Sequence, residues 1–289
     1  MKVGFVNIFG KPNAGKSTLL NTLMGEKLAI VSSKVQTTRH RIKGVVTEKD
    51  YQVIFSDTPG IIEPKYKLHE KMMQAVKSSL EDADVAILLL DINDNWTTCD
   101  AVFSSLKLSV PSIVVVNKTD KATNTKIEEA KSFFGQKQYC TKLIALSAFN
   151  KPQVQQLLNS IVAMLPDGEP FFAADEMTDL SERFFVGELV REQIFALFED
   201  EIPYQTTVLV TEFKQKTGLL KISASIIVQR ETQKAIILGE GGKMIKKIGS
   251  EARKEIEKFV GQKVFLELFV KVRPKWREND LFLKEYGYN

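Results

Sequence analysis

The sequence has few of the residues that build disulfide frameworks and soft-metal sites. It contains two cysteines and two histidines among 289 residues, and Cys99 and Cys140 belong to no motif. We therefore expect neither a disulfide scaffold nor a Cys/His metal site, and two unpatterned thiols suit a reducing compartment. Because no apolar run approaches the roughly 18 residues of a membrane span and no signal-peptide layout is present, we expect a cytoplasmic protein.

Charge of one sign is also scarce, because 40 Lys and Arg face 36 Asp and Glu and leave a formal net charge of +4. Residues 1–182 carry 21 basic and 21 acidic side chains, whereas residues 239–277 carry 11 basic and 5 acidic ones. A local basic excess is typical of nucleic-acid-binding segments, although a solvated lysine-rich helix face has the same composition. The length suits two domains.

A phosphate-binding loop stands near the start of the chain. Gly10-Lys-Pro-Asn-Ala-Gly-Lys-Ser17 matches the pattern GxxxxGK[ST] at every fixed position, between an apolar run and a helix-favouring run. In such a loop the backbone amides cradle phosphate oxygens, Lys16 reaches the β- and γ-phosphates, and Ser17 can bind Mg²⁺. A simple glycine turn is the alternative, and the complete match with both correct flanks disfavours it.

Apolar runs recur through the first half of the chain, with helical patterns or loops between most of them. This alternation predicts an α/β fold, a doubly wound and mostly parallel sheet of the P-loop NTPase type, whose ligands bind beyond the carboxyl ends of the strands. The runs are residues 3–9, 51–55, 85–91, 112–116 and 142–146.

Two further motifs follow such strands. In Asp57-Thr-Pro-Gly60 the carboxylate can hold a water of the Mg²⁺ shell, and the amide of Gly60 can approach a γ-phosphate. In Asn117-Lys-Thr-Asp120 the carboxylate of Asp120 can accept hydrogen bonds from the ring N1–H and the amine of guanine, which adenine cannot supply. Taken alone, residues 57–60 are also typical of an ordinary turn, and residues 117–120 are also typical of a polar helix cap.

The polar segment between the first helix and the second predicted strand, residues 35–41, contains two adjacent threonines. One of them can complete the Mg²⁺ shell when a γ-phosphate is present and let go after hydrolysis, as in nucleotide switches. We favour Thr38 over Thr37 for this role.

Thr37-Thr-Arg-His-Arg41 together with Asp57-Thr-Pro-Gly-Ile61 resembles the Era family of bacterial ribosome-assembly GTPases, and the resemblance covers almost the whole chain. It implies GTP, GDP and Mg²⁺ as ligands and hydrolysis of GTP to GDP and phosphate. The implied catalytic residues are Lys16, Thr38, Asp57 and Gly60, and the implied metal ligands are Ser17, Thr38 and Asp57. The implied nucleotide-binding residues are Gly10, Lys11, Pro12, Asn13, Ala14, Gly15, Lys16, Ser17, Thr18, Thr37, Asp57, Thr58, Pro59, Gly60, Ile61, Asn117, Lys118, Thr119, Asp120, Ser147, Ala148 and Phe149.

One position predicts slow hydrolysis. Ile61 stands where Ras-like proteins place a water-orienting glutamine, and an aliphatic side chain cannot position water. We therefore expect hydrolysis to need a partner or a cation. Related GTPases with asparagine at the position of Asn13 use it to hold K⁺, so we add K⁺ as a hypothesis.

The second half of the chain has the order helix, strand, strand, helix, helix, strand, with Gly239-Glu-Gly-Gly242 between the last two helices. A GxxG turn beside a sheet resembles the KH fold, type II, in which glycines admit an RNA backbone and lysines attract phosphates. By itself the turn equally suits a helix link. The residues expected to bind RNA are Gly239, Glu240, Gly241, Gly242, Lys243, Lys246, Lys247 and Arg253.

These patterns predict a G domain over 1–166, a linker over 167–182, a KH domain over 183–277 and a tail over 278–289. The resemblance implies a monomeric switch that binds 16S rRNA near its 3′ end and assists assembly of the 30S subunit. Two alternatives stay open at this point. One is a regulatory GTPase with weak peripheral association at the inner membrane, and the other is a P-loop kinase.

Overall fold

The computed structural model describes residues 1–32 and 34–288, which form two compact units. Unit 1 comprises residues 1–64 and 72–179, and unit 2 comprises residues 65–71 and the chain from Leu180 onward. Residues 167–179, which composition assigns to a linker, therefore lie with unit 1.

Unit 1 is built on a six-stranded sheet with the order β2-β3-β1-β4-β5-β6. All neighbouring strands are parallel except β2, which runs antiparallel to β3. This arrangement confirms the predicted doubly wound fold. The strands are β1 (Lys2–Phe9), β2 (Ile42–Thr47), β3 (Tyr51–Asp57), β4 (Val85–Asp91), β5 (Ser112–Asn117) and β6 (Lys142–Ala145), and the helices are α1 (Lys16–Met24), α3 (Trp96–Ser105), α4 (Asn124–Gly135) and α5 (Lys151–Val162). Helix α2 (Lys67–Glu81) begins in the residues assigned to unit 2 and continues in unit 1 from Met72.

The central strands explain why this sheet forms. Every residue of β5 is buried, as is every residue of β4 before Asp91, because helices cover both faces of a parallel sheet. Continuous apolar sequence is the pattern of such strands. Their last residues, Asp91 and Asn117, lie opposite each other at the carboxyl edge where ligands bind.

Strand β2 is missing from the sequence prediction. Its six residues, IKGVVT, are a short run in which a lysine and a glycine interrupt the apolar residues. It becomes a strand because it pairs along its whole length with β3, from Ile42 opposite Asp57 to Thr47 opposite Gln52. Tertiary pairing therefore decides this element.

The predicted linker is bonded to unit 1 over much of its length. The side-chain carbonyl of Gln52 accepts hydrogen bonds from the amides of Phe171 and Phe172 at 2.7 and 3.1 Å. The amide of Val45 donates to the carbonyl of Met177 at 2.8 Å. The composition of this segment predicts a solvent-exposed linker, whereas its backbone groups form hydrogen bonds with residues of β2 and β3.

Unit 2 contains a three-stranded sheet with the order β7-β8-β9, in which β8 is antiparallel to β7 and parallel to β9. It contains the predicted order of a type II KH domain, helix, strand, strand, helix, helix, strand, and adds the short helices α7 and α10. The elements are α6 (Glu182–Leu197), α7 (Ile202–Gln205), β7 (Thr207–Lys216), β8 (Leu219–Val228), α8 (Glu231–Leu238), α9 (Lys243–Val260), β9 (Val264–Val272) and α10 (Asp280–Glu285).

One face of α9 closes the core of unit 2. Ile248, Ala252 and Ile256 are fully buried, and Met244 and Val260 pack against the same cluster, so an apolar residue at every fourth position forms one helix face. These side chains meet the inward-facing residues of β8 and β9.

The predicted tail is packed in its described part. Residues 280–285 of this tail form α10, on which Leu283 is fully buried, and Tyr288 is buried as well. Just before the tail, Trp276 is fully buried and its Nε1–H donates to the carbonyl of Gln205 at 3.0 Å. Asn289 lies outside the described residues. Among the residues that are described, no helix combines the length and the apolar character needed to cross a membrane.

Candidate functional site

A cleft of about 340 Å³ opens at the carboxyl edge of the unit 1 sheet. Its lining includes most of the residues predicted to bind nucleotide. From the predicted set, the lining residues are Pro12, Asn13, Gly15, Lys16, Ser17, Thr18, Thr37, Thr38, Gly60, Asn117, Lys118, Asp120, Ser147, Ala148 and Phe149.

Two glycines of the phosphate loop allow its tight path. A Cβ on Gly10 would lie 2.2 Å from the carbonyl oxygen of Leu89, and one on Gly15 would lie 2.3 Å from the Asn117 side-chain nitrogen. Gly15 also has a φ of 102°, a conformation that L side chains rarely adopt. The loop can therefore bend back over the strand ends and begin α1 directly at Lys16, as amide-based anion binding requires.

Lys16 lies almost wholly inside this loop. Its Nζ donates to the carbonyls of Gly10 and Lys11 at 3.1 and 2.9 Å. Burial lowers the pKa of Lys16 from 10.5 to about 8, against the opposing attraction of Asp57 and Asp94. An anion that enters the cleft would place a negative charge beside Lys16 and stabilise its protonated form.

Three oxygen-bearing side chains converge beside Lys16. The Ser17 hydroxyl donates to Asp57 Oδ2 at 2.7 Å, the Thr38 hydroxyl donates to the same oxygen at 3.0 Å, and the two hydroxyls lie 2.9 Å apart. Burial raises the pKa of Asp57, although Lys16 and both hydroxyls oppose this. The other carboxylate oxygen, Oδ1, is buried with no hydrogen-bond partner among the described residues.

This group fits a hard cation, because Mg²⁺ prefers oxygen ligands and a buried carboxylate oxygen without a donor can accept one. Ser17, Thr38 and Asp57 would hold it. Thr37 also lines the cleft, but the hydroxyl that reaches Asp57 belongs to Thr38. Among the described residues, no cluster of three or more His, Cys, Asp or Glu side chains offers a competing metal site.

The segment after Asp57 packs against the phosphate loop. A Cβ on Gly60 would lie 2.8 Å from the ring of Pro12 and 2.9 Å from its nitrogen, so only glycine allows this approach. The amide of Ile61 donates to the carbonyl of Gly10 at 3.2 Å, and its side chain packs on the unit 1 core. An aliphatic side chain held there cannot orient a water molecule.

Asn117 joins the phosphate loop to the loop after β6. Its Nδ2 donates to the carbonyl of Ala14, and its Oδ1 accepts from the amide of Ala148, each at 2.9 Å. The amide of Ala148, one of the residues expected to bind nucleotide, is thus engaged by Asn117 in this structure. Thr22 adds a second tie through a 2.8 Å hydrogen bond to the carbonyl of Ala148.

The remaining motif residues border the cleft. Lys118 Nζ donates to the carbonyl of Asn13 at 2.8 Å, while Asp120 lies on the rim. Phe149 is 74% exposed and so presents its ring to solvent at the cleft. The predicted residues that lie outside the lining are Gly10, Lys11, Ala14, Asp57, Thr58, Pro59, Ile61 and Thr119.

Sequence reasoning missed part of the lining. These residues lie in the segment before the paired threonines or just after Asp120, where no motif marks them. They are Ile30, Val31, Ser32, Gln36 and Lys121. The only signal is their position next to motif residues.

A second candidate site lies in unit 2, at the glycine turn between α8 and α9. Gly239, Gly241 and Gly242 all have positive φ values, of 69°, 59° and 76°. A Cβ on Gly241 or Gly242 would meet nothing within 4 Å, so an extended backbone can approach the turn closely. Glu240 is exposed at its centre.

Basic side chains surround this turn. They project from the first three turns of α9 on the side opposite its buried apolar face, and all are exposed. They are Lys243, Lys246, Lys247 and Arg253. Ile236 on α8 is 48% exposed and adds apolar surface next to the turn. The site thus combines glycine, positive charge and an apolar patch, which suits a single-stranded polynucleotide.

Both units match known families. Residues 5–118 match a family model described as 50S ribosome-binding GTPase, and residues 201–277 match one described as KH domain.

Full-length relatives agree with both models. The chain is 41% identical over 288 residues to the GTPase Era of Geotalea uraniireducens, covering 99% of this chain and 97% of the relative. It is 42% identical over 290 residues to the GTPase Era of Lactobacillus helveticus, covering 100% and 96%.

Two solved structures are similar at full length, each with a TM-score of 0.94, 40% identity, and coverage of 100% of this chain and 99% of the other. One is Era in complex with MgGDPNP and nucleotides 1506–1542 of 16S ribosomal RNA. The other is a variant of Aquifex aeolicus Era bound to GDP·AlF4⁻.

Proposed function

Because this chain belongs to the Era family of GTPases, it binds and hydrolyses GTP, and we propose that it uses the nucleotide to control binding of 16S rRNA near its 3′ end during assembly of the 30S subunit. The observation that carries the proposal is the full-length similarity to a solved Era with a GTP analogue and this RNA bound. The phosphate-loop cleft and the basic glycine turn support it, one in each unit.

Each side chain has a distinct task in this proposal. The amides of residues 10–17 and Lys16 bind the phosphates, and Asp120 selects guanine. Ser17, Thr38 and Asp57 would hold Mg²⁺, which would supply positive charge to the phosphates. A hydrogen bond to Asp57 connects Thr38 to the cation site, so the loop that carries Thr38 can change its conformation when the occupant of the cleft changes.

K⁺ has a specific place in the proposal. Ile61 cannot orient the attacking water, and Asn13 lies on the cleft wall with a φ of 65°. A cation beside Asn13 would stabilise the negative charge that develops on the phosphates during hydrolysis, which would compensate for the absence of a water-orienting glutamine. Hydrolysis should therefore be faster in KCl than in NaCl at equal ionic strength, and equal rates would remove K⁺ from the mechanism.

An RNA-binding assay tests the switch. A 37-nucleotide RNA with the sequence of nucleotides 1506–1542 of 16S rRNA is titrated with protein loaded with GDPNP or with GDP. We expect tighter binding with GDPNP. Equal affinities would refute the control by nucleotide, and no binding above that of a scrambled RNA would refute the RNA target.

The same assay with Lys16→Ala distinguishes the effect of nucleotide binding from RNA binding itself. This variant should lose GTP loading, because the buried ammonium that faces the phosphates is gone, and its RNA affinity should no longer respond to nucleotide. Full GTP loading by the variant would contradict the assignment of the cleft.

We further propose that the protein is a monomer in the cytoplasm. Sedimentation with lipid vesicles tests separately whether it also associates weakly with the inner membrane.

A further inference from the structure

The carboxylate of Asp91 lies at the end of β4, next to the guanine-selecting motif on β5. The two strands are paired so that Asp91 stands opposite Asn117, and the amide of Ile92 donates to the carbonyl of Asn117 at 3.0 Å. The next residue after Asn117 is Lys118. Strand register therefore brings an acidic side chain to the lysine of the motif.

Asp91 and Lys118 form a partly buried ion pair. Lys118 Nζ lies 2.8 Å from Asp91 Oδ2, and the two side chains are 26% and 19% exposed. The other oxygen, Oδ1, accepts from the amide of Asn93 at 2.9 Å. The carboxylate is thus fixed from its own loop, with one oxygen directed to the ammonium.

The same ammonium reaches the phosphate loop. Lys118 Nζ donates to the carbonyl of Asn13 at 2.8 Å, so a single cation links Asp91 to that loop. Asn13 and Lys118 have φ values of 65° and 62°, a left-handed backbone that asparagine tolerates and lysine rarely adopts. An unfavourable conformation such as that of Lys118 persists where surrounding contacts determine it, and here one hydrogen bond joins the two left-handed residues.

We infer that Asp91 is a positioning residue for guanine nucleotide binding, acting through Lys118. The inference rests on the proposed function and assigns the aliphatic stem of Lys118 to the face of the purine ring. The ion pair to Asp91 holds that long and flexible stem extended, and the hydrogen bond from the same ammonium fixes the Asn13 carbonyl in the phosphate loop. Because the stem contacts the ring face, this contribution is shared by every purine, and base selection stays with Asp120.

The test compares Asp91→Asn with wild type in the full-length protein. Asparagine has the same shape and retains an oxygen for the Asn93 amide, but it lacks the charge that holds Lys118. Asp91→Glu retains the charge. Asp100→Asn is the matched control, because Asp100 forms an ion pair with Lys137 of similar exposure, 23% and 24%, and neither residue lines the cleft.

Affinities for fluorescent GDP and for IDP, which lacks the exocyclic amine, are measured for each variant and in a Lys118→Ala background. We expect Asp91→Asn to weaken both nucleotides by the same factor, on the order of tenfold. Asp91→Glu should restore most of the loss, and Asp100→Asn should bind like wild type. In the Lys118→Ala background, Asp91→Asn should add less than about twofold, because its effect passes through the lysine.

An unchanged affinity for Asp91→Asn would overturn the inference, and so would a loss of equal size in the Lys118→Ala background or a changed ratio of GDP to IDP affinity. If Asp91→Asn does not fold by circular dichroism, Asp91→Ser is measured in its place with the same criteria. Wild-type protein that binds no guanine nucleotide would instead refute the proposed function, so the two failures are distinguishable.

Discussion

Nucleotide binding should take up protons near pH 8, because Lys16 is buried in the phosphate loop. Burial lowers its pKa from 10.5 to about 8, so about half of the nucleotide-free protein carries a neutral Lys16 at that pH. Phosphate oxygens placed beside the amine favour the ammonium and raise its pKa in the complex. Each nucleotide bound at pH 8 should therefore take up about half a proton.

The magnitude follows from the same shift. Return of the Lys16 pKa from about 8 to 10.5 would correspond to about 3 kcal/mol of interaction with the phosphates. Affinity should be nearly constant below pH 7 and should fall by about tenfold for each pH unit above 8. The folding stability of the nucleotide-free protein should have the opposite pH dependence, because the unfolded chain binds more protons than the folded one between pH 8 and 10.5. Its stability should rise with pH across that window.

Isothermal titration calorimetry with GDP measures the proton uptake directly. Titrations at pH 8 in buffers of different ionisation enthalpy, with EDTA present, give the number of protons per nucleotide. Lys16→Arg is the control, because a guanidinium stays charged while every other titrating group, the guanine ring included, is unchanged. Wild-type protein without uptake at pH 8, or an affinity that is flat from pH 7 to 9, would refute the reasoning.

Three further predictions concern the cation site, the RNA surface and the packed C-terminal segment. Thr38→Ala should slow Mg²⁺-dependent GTP hydrolysis by at least about tenfold while Thr37→Ala retains most of it, and the reverse order would contradict the choice between them. Lys247→Glu should weaken RNA binding and lower its salt slope by more than about 1, whereas Lys216→Glu, exposed on β7, should change neither to that extent. Trp276→Ala removes a fully buried indole and should cost about 3–5 kcal/mol of unfolding free energy in urea titrations, and a cost below about 1 kcal/mol would contradict its packing role.

The contacts of Lys118 also change how the nucleotide cleft is understood. The cleft is assembled from several strand ends, and its loops are joined by side chains rather than by continuous backbone. Asn117 ties the phosphate loop to the loop that contains Ala148, and Lys118 ties it to Asp91. A loss of either tie should loosen nucleotide binding without altering the groups that recognise the base or the phosphates.

The sequence by itself determined the features that depend on neighbouring residues. Residues 10–17 contain the whole phosphate-loop pattern in one uninterrupted segment, and residues 239–242 contain the whole GxxG turn. The buried strands β4 and β5 are recognisable because both of their faces are covered, which requires continuous apolar sequence. The predicted family and fold are confirmed for the same reason, since these local motifs occur in the required order.

Only the tertiary structure decided the features that join distant residues. Strand β2 exists through its pairing with β3, and the predicted linker is held by Gln52, 119 residues away along the chain. Proximity to Asp57 distinguishes Thr38 from Thr37, and burial sets the pKa of Lys16. Composition and spacing describe each segment alone, whereas hydrogen bonding and desolvation depend on what the folded chain places beside it.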